Sequence, residues 1–145
     1  MTRSIAAGTR VPVAGKRGRR MAGWKEEELA EIGEADELAV APERRDGTLQ
    51  RPRIIWVVRH GDDLYVRSVN GADGAWFRGV EASHAGHISA GGVDADVVFE
   101  DADHDVDDDL DEEYRRKYGR SSSAVDSITS ANARATTIRL LPASG

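Results

Sequence analysis

The stretch R-I-I-W-V-V-R-H-G-D-D-L-Y-V-R-S, residues 53 to 68, decides the fold. Its first half, residues 53 to 60, is a predicted strand in which Ile54, Trp56 and Val58 point to one side. Ile55 and Val57 point to the other side, so both faces of this strand are apolar. Because such a strand needs cover on both faces, the pattern predicts a central strand of a closed or covered sheet, and not an edge strand.

Two hairpin turns lie around and beyond this strand. Gly61-Asp62 is a two-residue connection with glycine first, and Gly91-Gly92 is a second turn of the same length. With the strand above, the predicted strands cover residues 38 to 40, 63 to 68, 87 to 90, 93 to 100 and 136 to 141. Six hairpin-linked strands predict an α+β fold with a mainly antiparallel, barrel-like sheet and short flanking helices.

Four segments carry helical patterns. Residues 24 to 33 predict a helix whose first turn carries three glutamates. Over residues 107 to 118, Leu110, Tyr114 and Tyr118 recur every four residues, which predicts a helix that packs through this stripe. The two shorter predicted helices lie within residues 75 to 80 and 121 to 130.

The composition excludes several classes of protein. The 145 residues suit a single domain, and a hydrophobic content of 39% is enough for one core. No apolar run approaches the roughly 18 residues of a membrane-spanning helix, and the N-terminus lacks the apolar segment of a secretory signal. The absence of cysteine excludes disulfides, thiolate metal sites and a cysteine nucleophile. We therefore expect a cytoplasmic protein that does not bind membranes.

The charge is unevenly distributed along the chain. Residues 1 to 23 hold six basic residues and no acidic one, while the rest holds 14 basic and 26 acidic residues, a net charge of −12. Glycine and proline interrupt the basic segment, so we expect a disordered arm over residues 1 to 23 and one domain over residues 24 to 145. Binding of the arm to phosphate backbones is the alternative, but the acidic domain predicts no nucleic-acid partner. Met21 is an alternative start, so a chain that begins there is expected to fold equally well.

Two groups of residues resemble metal-binding patterns. Six carboxylates between Asp101 and Glu112 repeat the spacing of a calcium loop, but Val106 stands where that loop needs glycine. His84 and His87 lie three residues apart, and nothing in the spacing supplies further ligands. The positive end of the following helix dipole is sufficient to explain the acidic run, so we expect no metal site.

The candidate site residues are Arg67, Ser68, Trp76 and Arg78. Arg67 and Ser68 end a predicted strand and the other two follow in the next short element, so these side chains are expected at one end of the sheet. Arginine offers forked N–H donors for phosphate oxygens, and tryptophan offers a flat face for a ring. The alternative is structural: Trp76 belongs to the core, and the arginines pair with some of the surplus carboxylates.

Five segments resemble an uncharacterised bacterial family of the FMN- and deazaflavin-binding split β-barrels, which include pyridoxamine-phosphate-oxidase-like proteins. The segments are W-K-E-E-E-L-A-E-I-G-E-A-D-E-L (24 to 38), I-W-V-V-R-H-G-D-D-L-Y-V-R-S (55 to 68), G-A-W-F-R-G (74 to 79), A-G-G-V (90 to 93) and Y-R-R-K-Y-G-R (114 to 120). The resemblance runs from about Trp24 to Pro142 and leaves the basic arm outside.

The resemblance implies a six-stranded split β-barrel that forms a homodimer with FMN or a deazaflavin between its subunits. Arg67 and Ser68 match one phosphate-holding position of that superfamily, Arg78 approximately matches a second, and Trp76 would shield the cofactor. The implied function is an oxidoreductase for a small organic substrate, with catalytic residues that stay unknown. The alternative is a non-enzymatic ligand-binding or scaffold member that has lost the cofactor, because W-F-R-G (76 to 79) replaces the superfamily's longer helix opening.

Overall fold

The computed structural model describes residues 23–143, which form one sheet with five α-helices around it. The predicted basic arm lies outside the described residues, apart from its last residue. The strands are β1 (Leu38–Pro42), β2 (Arg53–Ile55), β3 (Val58–His60), β4 (Asp63–Val66), β5 (Ala85–Ala90), β6 (Val93–Asp101) and β7 (Ile138–Pro142). The helices are α1 (Glu26–Glu34), α2 (Ala75–Ser83), α3 (Asp107–Tyr118), α4 (Ser123–Ile128) and α5 (Ala131–Arg134).

The seven strands form a curled half-barrel. Their order in the sheet is β2-β1-β5-β6-β7-β4-β3, and every neighbouring pair is antiparallel. The hairpins β3–β4 and β5–β6 turn at Gly61 and at Gly91-Gly92, as predicted. The prediction of an antiparallel, barrel-like α+β fold is confirmed, with seven strands in place of six.

The prediction of one central strand over residues 53 to 60 is wrong. The segment breaks at Trp56 and Val57 into β2 and β3, which lie at opposite edges of the sheet. Because only two residues separate these strands, the curl of the sheet must bring its two edges within about 10 Å at this point. Val57 packs into one core cluster and Val58 into another, which explains why both faces of the segment are apolar.

Two apolar clusters form the core. The larger contains side chains from β1, β4, β5, β6 and β7 together with α1 and α2, and the smaller joins β3 and β4 to α3, α4 and α5. Leu110 and Tyr114 of the predicted α3 stripe are buried in the smaller cluster, with Tyr118 packed beside them. Trp24 fixes the start of α1, since its ring N–H donates to the Leu140 carbonyl at 2.9 Å. Within residues 23–143, no helix combines the length and the apolar character needed to cross a bilayer.

The turn between β5 and β6 packs closely against α1. Gly91 has a φ of 58°, and a Cβ at this position would lie 2.2 Å from the backbone oxygen of Glu31. Gly92 has a φ of 85°, but a Cβ there would have no atom within 4 Å. The turn therefore requires glycine at position 91 for backbone conformation and for space, and at position 92 for conformation alone.

His87 on β5 lies between two carboxylates of β6. Its Nδ1 is 3.0 Å from an oxygen of Asp96, and its Nε2 is 3.5 Å from an oxygen of Asp94. The hydrogen bond with Asp96 is the main reason that the pKa of His87 lies above its ordinary value of 6.5. The folded state therefore binds a proton at this ring more tightly than the unfolded chain does.

We expect this raised pKa to make the stability depend on pH. The protonated ring contributes fully below about pH 6.5, and its contribution is lost as the pH rises through the higher pKa of the folded state. Because the partners are exposed, the contribution is below about 1 kcal/mol. Melting curves of the wild type and of His87→Gln at a series of pH values test this. The difference in Tm should shrink with rising pH, and a constant difference would contradict the prediction.

Candidate functional site

An apolar pocket of about 220 Å³ lies where β2 and the end of β4 meet α2 and α4. It is lined by Ile54, Ile55, Trp56, Arg67, Val69, Trp76, Ala124 and Ile128. Two of these apolar side chains are unusually exposed: Ile54 is 61% exposed and Val69 is 51% exposed. The pocket therefore has tryptophans in its walls and an open apolar rim.

Arg67 is buried, with 1% of its surface exposed. Its Nε donates to the Thr137 hydroxyl at 3.0 Å, and its Nη1 donates to Asp111 Oδ1 at 2.6 Å and to the Ile128 carbonyl at 3.2 Å. Its Nη2 donates to the carbonyl and the carboxylate of Asp107, at 3.1 and 3.3 Å. A guanidinium has five N–H donors, so all five have an acceptor within the chain.

The Arg67 network joins the end of β4 to three other elements of the fold. Asp107 and Asp111 belong to α3, Thr137 precedes β7, and Ile128 ends α4. Arg134 of α5 lies 3.6 Å from the second oxygen of Asp111, which balances the two buried carboxylates with two guanidinium groups. Asp107 and Asp111, two acids in and beside the run that suggested a calcium loop, are thus partners of buried arginine. This arrangement makes Arg67 a structural support of the pocket wall.

Ser68 lies next to the start of α2. Its backbone N–H donates to the Thr136 hydroxyl at 2.9 Å, which fixes the chain after β4. Its side-chain oxygen lies so close to Gly74 that a Cβ on Gly74 would be 2.4 Å away. Gly74 is the N-cap of α2 and offers no side-chain hydrogen bond to the helix. The Ser68 hydroxyl and the first turn of α2 are therefore neighbours.

Trp76 and Arg78 occupy different environments on α2. Trp76 is buried, lines the pocket, and packs edge-on against Phe77 with a centroid distance of 6.2 Å. Arg78 is exposed and does not line the pocket, and its side chain makes no hydrogen bond or ion pair with any residue of the range 23–143. Of the four predicted site residues, the structure thus brings Arg67 and Trp76 together on the pocket wall.

Trp56 is a pocket residue that sequence reasoning assigned only to a strand. Its ring stacks on Tyr118 with a centroid distance of 3.9 Å and an angle of 5°, and the Tyr118 hydroxyl donates to the Asp36 carbonyl at 2.8 Å. Lys117 donates to the neighbouring Val57 carbonyl at 2.6 Å, and burial lowers the pKa of this lysine to about 8. The indole is therefore held in place where the chain crosses between the sheet edges. The sequence showed a tryptophan on the same strand face as Ile54, but it did not show that Trp56 would lie at the pocket.

The solved structures similar to this chain include three with 16% identity or less. HutZ, the heme storage protein from Vibrio cholerae, has a TM-score of 0.58 and 16% identity, with 83% of this chain and 91% of HutZ covered. A putative pyridoxamine 5'-phosphate oxidase from Listeria innocua has a TM-score of 0.55 and 11% identity, covering 81% and 90%. An F420 reductase has a TM-score of 0.52 and 14% identity, covering 79% and 92%. These likenesses concern the fold.

The family follows from the sequence comparison. No curated protein matches the chain. Residues 28–140, which are more than half of the chain, match the family described as "Uncharacterized protein conserved in bacteria (DUF2255)". Together with a half-barrel similar to those of F420 reductase and the pyridoxamine-phosphate-oxidase-like proteins, this match confirms the resemblance inferred from the five segments. The chain belongs to the bacterial DUF2255 family, and its fold is similar to that of split β-barrel proteins.

Proposed function

We propose that the protein binds a flavin-type cofactor, FMN or a deazaflavin, with the ring system in the apolar pocket. The pocket itself carries the proposal, because Trp56 and Trp76 present aromatic surface to a cavity that opens at an apolar rim. A flat conjugated ring gains both apolar burial and stacking in such surroundings. The structural likeness to an F420 reductase and to a putative pyridoxamine 5'-phosphate oxidase supports a cofactor of this type.

In this proposal the phosphate binds beside the first turn of α2. The first N–H groups of a helix have no partner within it, and the N-cap Gly74 supplies none from a side chain. The Ser68 hydroxyl adjoins this turn, and the guanidinium of Arg78 is not engaged by other residues of the described part. Arg67, with its donors already used, would hold the pocket wall and not the phosphate.

We further propose that a second copy of the chain completes the site. The volume of about 220 Å³ is below the roughly 300–1,000 Å³ of a usual ligand pocket, so it suits only part of a cofactor. Ile54 and Val69 form an exposed apolar rim, and a second copy over this rim would bury them and enclose the rest. The homodimer is therefore part of the same proposal.

The proposed activity is electron or hydride transfer to a small organic substrate. The bound cofactor would supply this chemistry, as it does in flavin enzymes generally. The residues of the chain would position the ring between Trp56 and Trp76, exclude water from it, and balance the phosphate charge through Arg78. No acid or base from the protein is required for such a transfer.

We expect FMN or a deazaflavin to bind the purified protein and to raise its Tm. Replacing Arg78 by glutamine removes the proposed charge-assisted contact and should weaken binding about tenfold or more. Trp76→Leu removes the stacking surface and should weaken binding several-fold. Quenching of cofactor fluorescence during titration measures both effects, at a temperature where every variant is folded.

Arg45→Gln is the matched control for Arg78→Gln. Arg45 is also exposed, lies in the connection between β1 and β2, and does not line the pocket, so its replacement should leave the affinity unchanged. Equal losses in both arginine variants would indicate unspecific attraction of the phosphate and would refute the assignment to Arg78.

A non-enzymatic ligand-binding or scaffold protein is the second candidate function. The observation that favours it is the complete use of the Arg67 donors within the chain, which leaves fewer groups for a phosphate. If neither FMN nor a deazaflavin changes the Tm or the fluorescence, the cofactor proposal fails and this second function takes its place.

A further inference from the structure

We propose that Glu81, His84 and Asp101 form a binding site for a divalent transition-metal ion such as Zn²⁺, with water in the remaining coordination positions. Each of the three residues offers one ligand atom, and these atoms all lie within 4.8 Å of one another. The site shares no residue with the apolar pocket. It thus goes beyond the proposed function and does not depend on it.

The fold brings these residues together from two elements. Glu81 lies in the last turn of α2 and His84 caps the same helix three residues later, a spacing that places both side chains on one face. Asp101 is the last residue of β6 and follows the buried Val97 and Phe99 at alternate positions. Asp101 therefore points to the side on which α2 packs, just beyond the covered part of the sheet.

The backbone holds His84 firmly at the helix end. Its N–H donates to the Val80 carbonyl at 2.6 Å, and its carbonyl accepts from the Phe99 N–H at 2.9 Å. Among residues 23–143, His84 is the one non-glycine residue with a positive φ, at 58°. These bonds connect α2 directly to β6, so the backbone at His84 is held beside the end of the strand that carries Asp101.

The ligand distances suit a small ion. The His84 Nε2 lies 3.7 Å from Glu81 Oε2, and ligands about 2.1 Å from a tetrahedral Zn²⁺ are about 3.4 Å apart. Glu81 and His84 are 40% and 44% exposed, so their side chains have room to adjust toward an ion. Imidazole nitrogen with carboxylate oxygens favours zinc and related transition metals over calcium or magnesium.

The electrostatics of the cluster also favour a cation. No lysine or arginine of the described chain forms an ion pair with Glu81 or Asp101. The ligand oxygens of Glu81 and Asp101 lie within 4.8 Å of each other, so the two like charges repel one another. A divalent ion would remove this repulsion.

Isothermal titration of tag-free, EDTA-treated protein with ZnCl₂ tests the proposal, and we expect one equivalent to bind. His84→Asn retains the left-handed backbone, which asparagine tolerates, and should weaken binding by a factor of about ten or more. Asp101→Asn removes one carboxylate ligand with little change in size and should weaken binding as well. CaCl₂ in place of ZnCl₂ should give no comparable heat.

His87→Asn is the matched control. His87 also lies between two carboxylates, but Asp94 and Asp96 approach opposite nitrogens of the ring, so they cannot share one ion with it. Zinc binding should be unchanged in this variant. The proposal is overturned if the wild type binds no zinc, if His84→Asn binds it as tightly as the wild type, or if His87→Asn weakens it equally. Because no flavin is present in this titration, its result is independent of the cofactor experiment.

Discussion

Replacing Arg67 by methionine is expected to lower the free energy of unfolding by about 3–5 kcal/mol. The substitution leaves the carboxylates of Asp107 and Asp111 buried without one of the two guanidinium groups that balance them. It also removes the donors for the Thr137 hydroxyl and the Ile128 carbonyl. Urea denaturation at neutral pH measures the loss. Arg67→Lys restores the charge but only part of the hydrogen bonding, so its loss should be smaller.

Arg78→Met is the control for this experiment. The Arg78 side chain is exposed and has no hydrogen-bond or ion-pair partner among the described residues, so its replacement should change the stability by less than about 0.5 kcal/mol. If Arg67→Met and Arg78→Met have similar stabilities, the buried network does not hold α3 and β7 together as described.

Gly91→Ala should destabilise the protein by about 2–4 kcal/mol. Alanine would have to adopt a φ of 58°, and its Cβ would lie 2.2 Å from the Glu31 carbonyl oxygen. That oxygen belongs to the backbone of α1, so the clash is relieved only by moving the helix or the hairpin. Chemical denaturation and the shift in Tm measure the loss.

Gly92→Ala separates the two causes. Residue 92 also has a positive φ, but its Cβ position is open, so alanine there should cost only the backbone term of about 1–2 kcal/mol. If both variants lose the same free energy of unfolding, the clash of the added Cβ with α1 does not contribute to the destabilisation of Gly91→Ala.

The sequence was sufficient to predict the elements whose signals are local. The turns at Gly61 and Gly91 and the α3 stripe of Leu110 and Tyr114 are all found where predicted. The segment over residues 53 to 60 was misread because apolar residues on both faces indicate burial without saying what covers each face. In the fold, the apolar side chains of this segment are covered by the two core clusters and not by strands on both sides of one central strand.

The candidate site was predictable only in part. Arg67 and Trp76 were expected near each other because both follow β4 within a short stretch of chain, and both line the pocket. The partners of Arg67 lie 40 and 44 positions away in α3, and nothing local distinguishes Asp107 and Asp111 from the exposed acids around them. The alternative hypothesis was that the arginines pair with surplus carboxylates, and this is the environment of Arg67 in the fold.

The histidines illustrate the same limit. Spacing alone joins His84 with His87, but the structure gives them different partners, Glu81 for one and Asp96 for the other. α2 ends just before His84 and β5 begins between the two histidines, so their separation along the chain carries no information about their neighbours. Asp101 lies near His84 because β5 pairs with β6 and the Phe99 N–H donates to the His84 carbonyl, a relation that periodicity does not encode.

The two residues between β2 and β3 have a mechanical consequence. One covalent segment supplies both borders of the sheet, so a ligand that displaces Trp56 cannot shift β2 without pulling on β3 and its partner β4. Local destabilisation of one edge strand should therefore also destabilise the other. Ligand binding in the pocket next to β2 should then be detectable as faster amide hydrogen exchange in β3.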